Sequence, residues 1–132
     1  MARRHATGAP AHYHLAMLKR LLGMFRGRPV LIPGTDELAE GEARKVDIGD
    51  VGAGGTQIVL CRLDGQVYAV DTLCPHEGGR IQPGPLVDGK FVTCPLHNYT
   101  FDPRDGSVVR GSCKRAKTYR ARERAEGCEV WL

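Results

Sequence analysis

The sequence predicts an all-β domain that follows a basic N-terminal arm. Gly supplies 17 of the 132 residues, nearly twice the usual share of about 7%, and such an excess is typical of a chain with many turns. Beyond Ala43 the chain consists of short runs suited to β-strands, which turn residues separate at short intervals. No alternation of strand and helix patterns is present there, which argues against a parallel βαβ sheet.

Seven runs are predicted as strands, and two Asp-Gly pairs predict hairpins between them. Asp64-Gly65 and Asp88-Gly89 each lie between apolar or alternating segments, which is the strongest short-range hairpin signal in a sequence. Residues 104–106 and 126–127 predict two further turns. The predicted strands are 45–48, 56–63, 66–71, 90–94, 99–102, 117–122 and 128–132.

The length of 132 residues fits one domain, which we place at residues 43–132, with residues 1–42 as an appended arm. No apolar run approaches the roughly 18 residues that a transmembrane helix needs. The five cysteines are an odd number, and no cleavable leader precedes them, which argues against a secreted disulfide scaffold. We therefore expect a cytoplasmic protein.

The positive charge of the chain is concentrated at its N-terminus. The formal net charge is +4, yet residues 1–35 contain six Lys or Arg and no acid, so global basicity does not indicate nucleic-acid binding. Residues 14–25 predict a short amphipathic helix, and residues 35–42 predict a linker or wrapping segment. The helix either packs on its own domain or a second copy, docks a partner, or anchors peripherally to a membrane surface.

The chemistry-bearing pattern of the sequence is a pair of short Cys/His loops. Cys74-x-His76 is followed, after 17 residues, by Cys94-x-x-His97, and four such ligands in two matched loops indicate a metal site. A mononuclear zinc site is one interpretation, although zinc fingers usually group two Cys in one loop and two His in the other. One Cys and one His in each loop suits a binuclear iron cluster better.

With these residues, the stretch from about residue 45 to residue 132 resembles the Rieske iron-sulfur proteins, whose signature is Cys-x-His and Cys-x-x-His at this separation. The resemblance implies a β-sandwich or barrel with an inserted cluster-binding subdomain, and a 2Fe-2S cofactor. Carried onto this sequence, it implies that Cys74 and Cys94 hold the inner iron, and that His76 and His97 hold the outer iron near solvent.

The surroundings of the motif favour a low-potential member of that family. High-potential members add a Cys to each loop to form a disulfide, and place Ser and Tyr two and four residues after the second His. Here Gly79 and Leu96 occupy the two loop positions, and Tyr99 and Phe101 follow His97. Without the disulfide and with fewer hydroxyl donors to sulfur, reduction is less favourable.

In relatives, a third loop usually contains prolines that shield the cluster. Residues 111–116 occupy that place here and contain no proline. Basic residues in and around this loop form a patch that either faces an acidic redox partner or is simply solvated. These residues are Arg110, Lys114, Arg115 and Lys117.

The function implied by the resemblance is one-electron transfer, as a ferredoxin or as the small electron-transfer component of a larger oxidoreductase system. Its expected partners are a reductase donor and an oxygenase or reductase acceptor, with no nucleic acid. Relatives serve aromatic-ring oxygenases or nitrite reductase systems. No catalytic residue and no substrate turnover are predicted for the chain alone. The alternative is a cluster-less or zinc-bound Rieske-like interaction subunit.

Overall fold

The computed structural model describes residues 28–132, and these form two antiparallel β-sheets with no α-helix. Short 3₁₀ helices lie at Thr35–Glu37 and Val51–Ala53. The strands are β1 (Pro29–Ile32), β2 (Glu42–Ile48), β3 (Thr56–Leu63), β4 (Gln66–Asp71), β5 (Gly84–Pro85), β6 (Val92–Cys94), β7 (Tyr99–Phe101), β8 (Val108–Arg110), β9 (Thr118–Arg124) and β10 (Gly127–Trp131).

The larger sheet has seven strands in the order β1-β10-β9-β4-β3-β2-β5, and the smaller sheet has the order β6-β7-β8. This architecture confirms the predicted all-β class. All seven predicted strands are present, and β3 and β4 have the predicted bounds. The Asp64-Gly65 hairpin joins them, with left-handed φ values of 53° and 78° that suit a tight two-residue turn.

Three short strands, β1, β5 and β8, were missed by the sequence analysis. β1 begins at Pro29 and lies at one edge of the larger sheet, where a missing backbone N–H is tolerated. It pairs with β10, so the sheet begins before residue 43. The predicted helix at residues 14–25 lies outside the described residues. Among residues 28–132, no helix is long and apolar enough to cross a membrane.

The core lies on both faces of β3, where Ile58, Val59, Leu60 and Cys61 are all fully buried. Because side chains alternate along a strand, Ile58 and Leu60 contribute to one apolar cluster, and Val59 and Cys61 to the other. The second cluster also contains the two cysteines of the Cys/His loops. The seven-stranded sheet therefore supports the base of those loops directly.

The segment before β2 is held against the sheet by Arg62. Its guanidinium donates hydrogen bonds to the carbonyl oxygens of Thr35, at 2.8 Å, and Leu38, at 2.7 Å. It also forms an ion pair with Glu123 on β9, with an N–O distance of 2.6 Å. Residues 35–38 therefore wrap the sheet, and Thr35 is completely buried.

Candidate metal centre

Each of the two Cys/His loops is closed by its own backbone pairing. In the first loop, the Cys74 N–H donates to the Gly79 carbonyl at 2.8 Å, and Leu73 pairs with Arg80. The Asp71 carboxylate at the end of β4 accepts a hydrogen bond from the Leu73 N–H at 2.8 Å, which fixes the base of this loop.

The second loop is the turn between β6 and β7. Cys94 ends β6 and pairs with Tyr99 at the start of β7, and Pro95, Leu96, His97 and Asn98 form the turn. Asn98 has a left-handed φ of 57°, a conformation that Asn tolerates better than most residues. The hairpin therefore presents His97 at its tip and Cys94 at its base.

The structure brings all four predicted site residues together. Cys74 Sγ lies 2.9 Å from His76 Nδ1, and His76 Nε2 lies 2.9 Å from His97 Nδ1. The donor atoms of Cys74, His76 and Cys94 all lie within 4.8 Å of one another. The two thiols thus form one side of a single site, and the two imidazoles form the other side.

Burial divides these four donors into two pairs. Cys74 and Cys94 are 3% and 0% exposed, whereas His76 is half-buried and His97 is exposed. Burial raises the pKa of the Cys74 thiol to about 11, and the neighbouring Cys94 thiol adds to the shift. Without a metal, Cys74 is therefore protonated at neutral pH, and a metal that binds its thiolate must displace the proton.

Gly79 leaves the space around the Cys94 sulfur open. A Cβ atom at this position would lie 2.5 Å from Cys94 Sγ and 3.2 Å from the Leu96 side chain. Any side chain at residue 79 would therefore collide with the sulfur. The glycine lets the backbone of the first loop approach the second loop closely.

Tyr99 is part of the site, a contact that the sequence analysis missed. Its ring stacks on the His76 imidazole, with centroids 4.0 Å apart and an interplanar angle of 13°. The sequence shows that Tyr99 lies two residues after His97, at the start of a predicted strand. It does not show the stacking partner, because His76 is on the other loop. Only the folded arrangement of the two loops identifies this contact.

The third loop reaches the same region. The backbone at Gly111 lies against the Tyr99 ring, so a Cβ at Gly111 would be 2.6 Å from Tyr99 Cε2. Cys113 is half-buried and packs against the apolar cluster that contains Cys74 and Cys94. Burial raises the pKa of Cys113, with a further contribution from Cys94. The third loop therefore lies beside the four donors.

Comparison with known proteins places the chain in a family. Residues 28–120 match the family described as Rieske [2Fe-2S] domain. The chain is 34% identical over 74 residues to the ferredoxin component of the naphthalene 1,2-dioxygenase/salicylate 5-hydroxylase systems of Ralstonia sp., covering 56% of this chain and 65% of that protein. It is 38% identical over 66 residues to cholesterol 7-desaturase of Hemicentrotus pulcherrimus, covering 49% of this chain and 14% of that protein. These curated relatives are thus matched over less than two thirds of their length.

Solved structures share the fold. The ferredoxin of carbazole 1,9a-dioxygenase from Nocardioides aromaticivorans IC177 superposes with a TM-score of 0.66 at 24% identity, covering 80% of this chain and 98% of that one. A chain assigned as an NADH-dependent nitrite reductase small subunit from Mycobacterium tuberculosis gives a TM-score of 0.57 at 28% identity, covering 77% and 92%. Both classes of relative expected from the sequence are therefore found.

Proposed function

The chain belongs to the Rieske 2Fe-2S family, and from this premise we propose that it carries single electrons between partner proteins, as a ferredoxin or as a small electron-transfer component. The observation that carries the proposal is the convergence of two buried thiols and two outer imidazoles on one site. Its Ralstonia relative is a ferredoxin component of an oxygenase system, which supports a place in a multicomponent oxidoreductase.

In this proposal, Cys74 and Cys94 hold the inner iron, and His76 and His97 hold the outer iron. The donor set fits the group, because thiolates are the usual ligands of iron-sulfur clusters and two imidazoles distinguish the Rieske type. Gly79 also fits, since it leaves the Cys94 sulfur unobstructed. When bound, the cluster accepts and releases one electron, at a potential raised by its neutral imidazole ligands.

The protein residues around the site have separate tasks in this function. The buried position of the Cys74 and Cys94 thiols keeps water from the inner side. The exposed His97 edge offers the shortest route to a partner surface. The Tyr99 ring holds the His76 imidazole in one orientation by stacking. Electrons therefore enter and leave at the imidazole edge.

We further propose that a reductase supplies the electron and that an oxygenase or a reductase receives it. The ferredoxin relatives favour this assignment over the alternative of a cluster-less or zinc-bound interaction subunit. A role for residues 14–25 in partner or membrane docking remains a prediction.

Anaerobic electron counting tests the function. The protein is reduced with dithionite, freed of excess reductant and mixed with ferric cytochrome c in a stopped-flow spectrophotometer. We expect a single electron to be delivered per molecule, and no delivery by Cys94→Ser. Cys113→Ser is the matched control, because it changes a neighbouring thiol outside the proposed ligand set, and it should deliver its electron normally. A protein that contains iron and sulfide but cannot reduce cytochrome c would contradict the proposal.

A further inference from the structure

The third loop and the strands on either side of it form a continuous basic segment. From Gly106 to Arg122 the sequence contains six Lys or Arg and no Asp or Glu. Arg110 and Lys114 are exposed, and within residues 28–132 neither forms an ion pair. Arg115 lies 3.9 Å from the exposed Asp105, a distance at which a solvated pair contributes little. The positive charges of Arg110 and Lys114, and in large part that of Arg115, are therefore available to a partner.

The basic segment lies next to the imidazole side of the metal centre. Arg110 ends β8 and pairs with Thr100 on β7, the strand that follows His97. The adjacent Gly111 backbone contacts the Tyr99 ring, which in turn stacks on His76. Two direct contacts therefore connect the backbone of the basic segment with a proposed iron ligand.

Large apolar side chains are exposed on the two Cys/His loops and on β8. Leu73 precedes Cys74 and is 52% exposed, and Leu96 precedes His97 and is 50% exposed. Val109, which precedes Arg110, is also 50% exposed. Protein interfaces commonly combine an apolar centre with a polar rim. Leucines beside the ligands and free cations on the adjoining strand and loop fit that pattern.

We propose that this face, formed by Leu73, Leu96, Val109, Arg110 and Lys114, is the docking surface for a redox protein that carries acidic residues around an apolar patch. The inference rests on the proposed electron-transfer function and specifies the chemistry of the partner. Opposite charge steers the two proteins together and selects against basic partners. The apolar contact brings the partner close to the imidazole edge.

Cytochrome c and its succinylated form test the sign of this surface. Succinylation converts the lysines of basic cytochrome c to carboxylates, so the two acceptors differ chiefly in charge. The second-order rate constant of each with the dithionite-reduced protein is measured by stopped flow at low and high salt. We expect the succinylated form to react faster, and the ratio of the two constants to fall as salt screens the charges.

Charge reversal locates the effect. Arg110→Glu combined with Lys114→Glu should lower that ratio by about tenfold or more at low salt. The control combines Lys45→Glu with Lys90→Glu, which changes the net charge equally at exposed positions on β2 and in the turn before β6, outside the basic segment, and should keep the ratio within about twofold. Iron content and midpoint potential are measured for each protein. If the double variant loses its cluster, Arg110→Gln tests the same ratio with a smaller expected change.

The outcomes separate this inference from the function on which it rests. A faster reaction with native cytochrome c, or a ratio that Arg110 and Lys114 do not change, would overturn the acidic-partner proposal while leaving electron transfer intact. No reaction with either acceptor would instead overturn the electron-transfer function. Sedimentation with phosphatidylglycerol vesicles that depends on Arg110 and Lys114 would assign the face to an anionic membrane and also overturn the proposal.

Discussion

The Tyr99 ring lies flat against the imidazole of His76, with the two ring centroids 4.0 Å apart. Tyr99 belongs to the hairpin that carries Cys94 and His97, whereas His76 belongs to the first loop. The contact therefore fastens one loop to the other at the imidazole side.

Removing the stacked ring should weaken the cluster site. Tyr99→Leu loses the aromatic contact with His76, which is worth about 1 kcal/mol beyond the buried area, and we expect faster cluster loss in air. Tyr99→Phe keeps the ring and serves as the control. The decay of visible absorbance on exposure to oxygen measures both rates, and equal decay of the Leu and Phe variants would refute a role for stacking.

A methyl group at Gly79 should prevent normal cluster assembly. In Gly79→Ala the new Cβ would lie 2.5 Å from Cys94 Sγ, so either the sulfur or the loop must shift. We expect the iron and sulfide content to fall at least severalfold, while far-ultraviolet circular dichroism remains that of a folded β-protein. Gly52→Ala, where the added Cβ meets its nearest neighbour at 3.4 Å, should leave both measurements unchanged. Full cluster content in Gly79→Ala would contradict the close approach.

The Arg62–Glu123 ion pair should make stability depend on pH on the acid side. Hydrogen bonding from Arg62 lowers the pKa of Glu123 from its ordinary value of 4.5. The stabilisation is therefore complete above that value and is lost as the pH falls through the lowered pKa of the folded state.

Glu123→Gln measures this contribution. At neutral pH we expect it to cost about 1 kcal/mol, or roughly 4 °C in Tm, because the pair is only partly shielded from solvent. The difference from the parent protein should shrink in acid. Glu126→Gln, in the exposed turn between β9 and β10, is the control. A Tm difference that stays constant from neutral pH to strong acid would show that the charge of Glu123 is not responsible.

The midpoint potential should lie near the lower end of the Rieske range of about −150 to +300 mV. Gly79 and Leu96 occupy the positions of the disulfide cysteines in high-potential relatives, and Tyr99 stacks on His76. Within residues 28–132, no hydroxyl donates a hydrogen bond to Cys74 or Cys94. A dithionite titration followed by visible circular dichroism measures the potential. A value near the upper end would show that another feature withdraws charge from the sulfurs.

Much of the fold was accessible from local sequence signals. β3 and β4 were predicted with their observed bounds, because an apolar run, a turn pair and a second run define a hairpin without tertiary information. β5 has only two residues and exists through its pairing with β2, so no local pattern reveals it. β1 begins at one proline and is followed by another, which argues against a strand in the sequence, and it forms by pairing with β10.

The candidate site was also accessible in part. The spacing of Cys74, His76, Cys94 and His97 identified the four residues that the structure brings together. The stacking of Tyr99 on His76 and the approach of Gly111 to that ring depend on how three loops meet. Such contacts arise from tertiary packing, which motif spacing does not encode.

Cys74, His76, Cys94 and His97 are proposed to hold a Rieske cluster, and metal analysis tests this assignment most directly. The protein is purified without oxygen and analysed for iron, zinc and acid-labile sulfide, and an electron paramagnetic resonance spectrum is recorded after dithionite reduction. We predict equal amounts of iron and sulfide, about two of each per chain, and a rhombic signal with a low average g value. Zinc without sulfide, or a folded protein with no metal, would contradict the assignment of a Rieske cluster to these four residues.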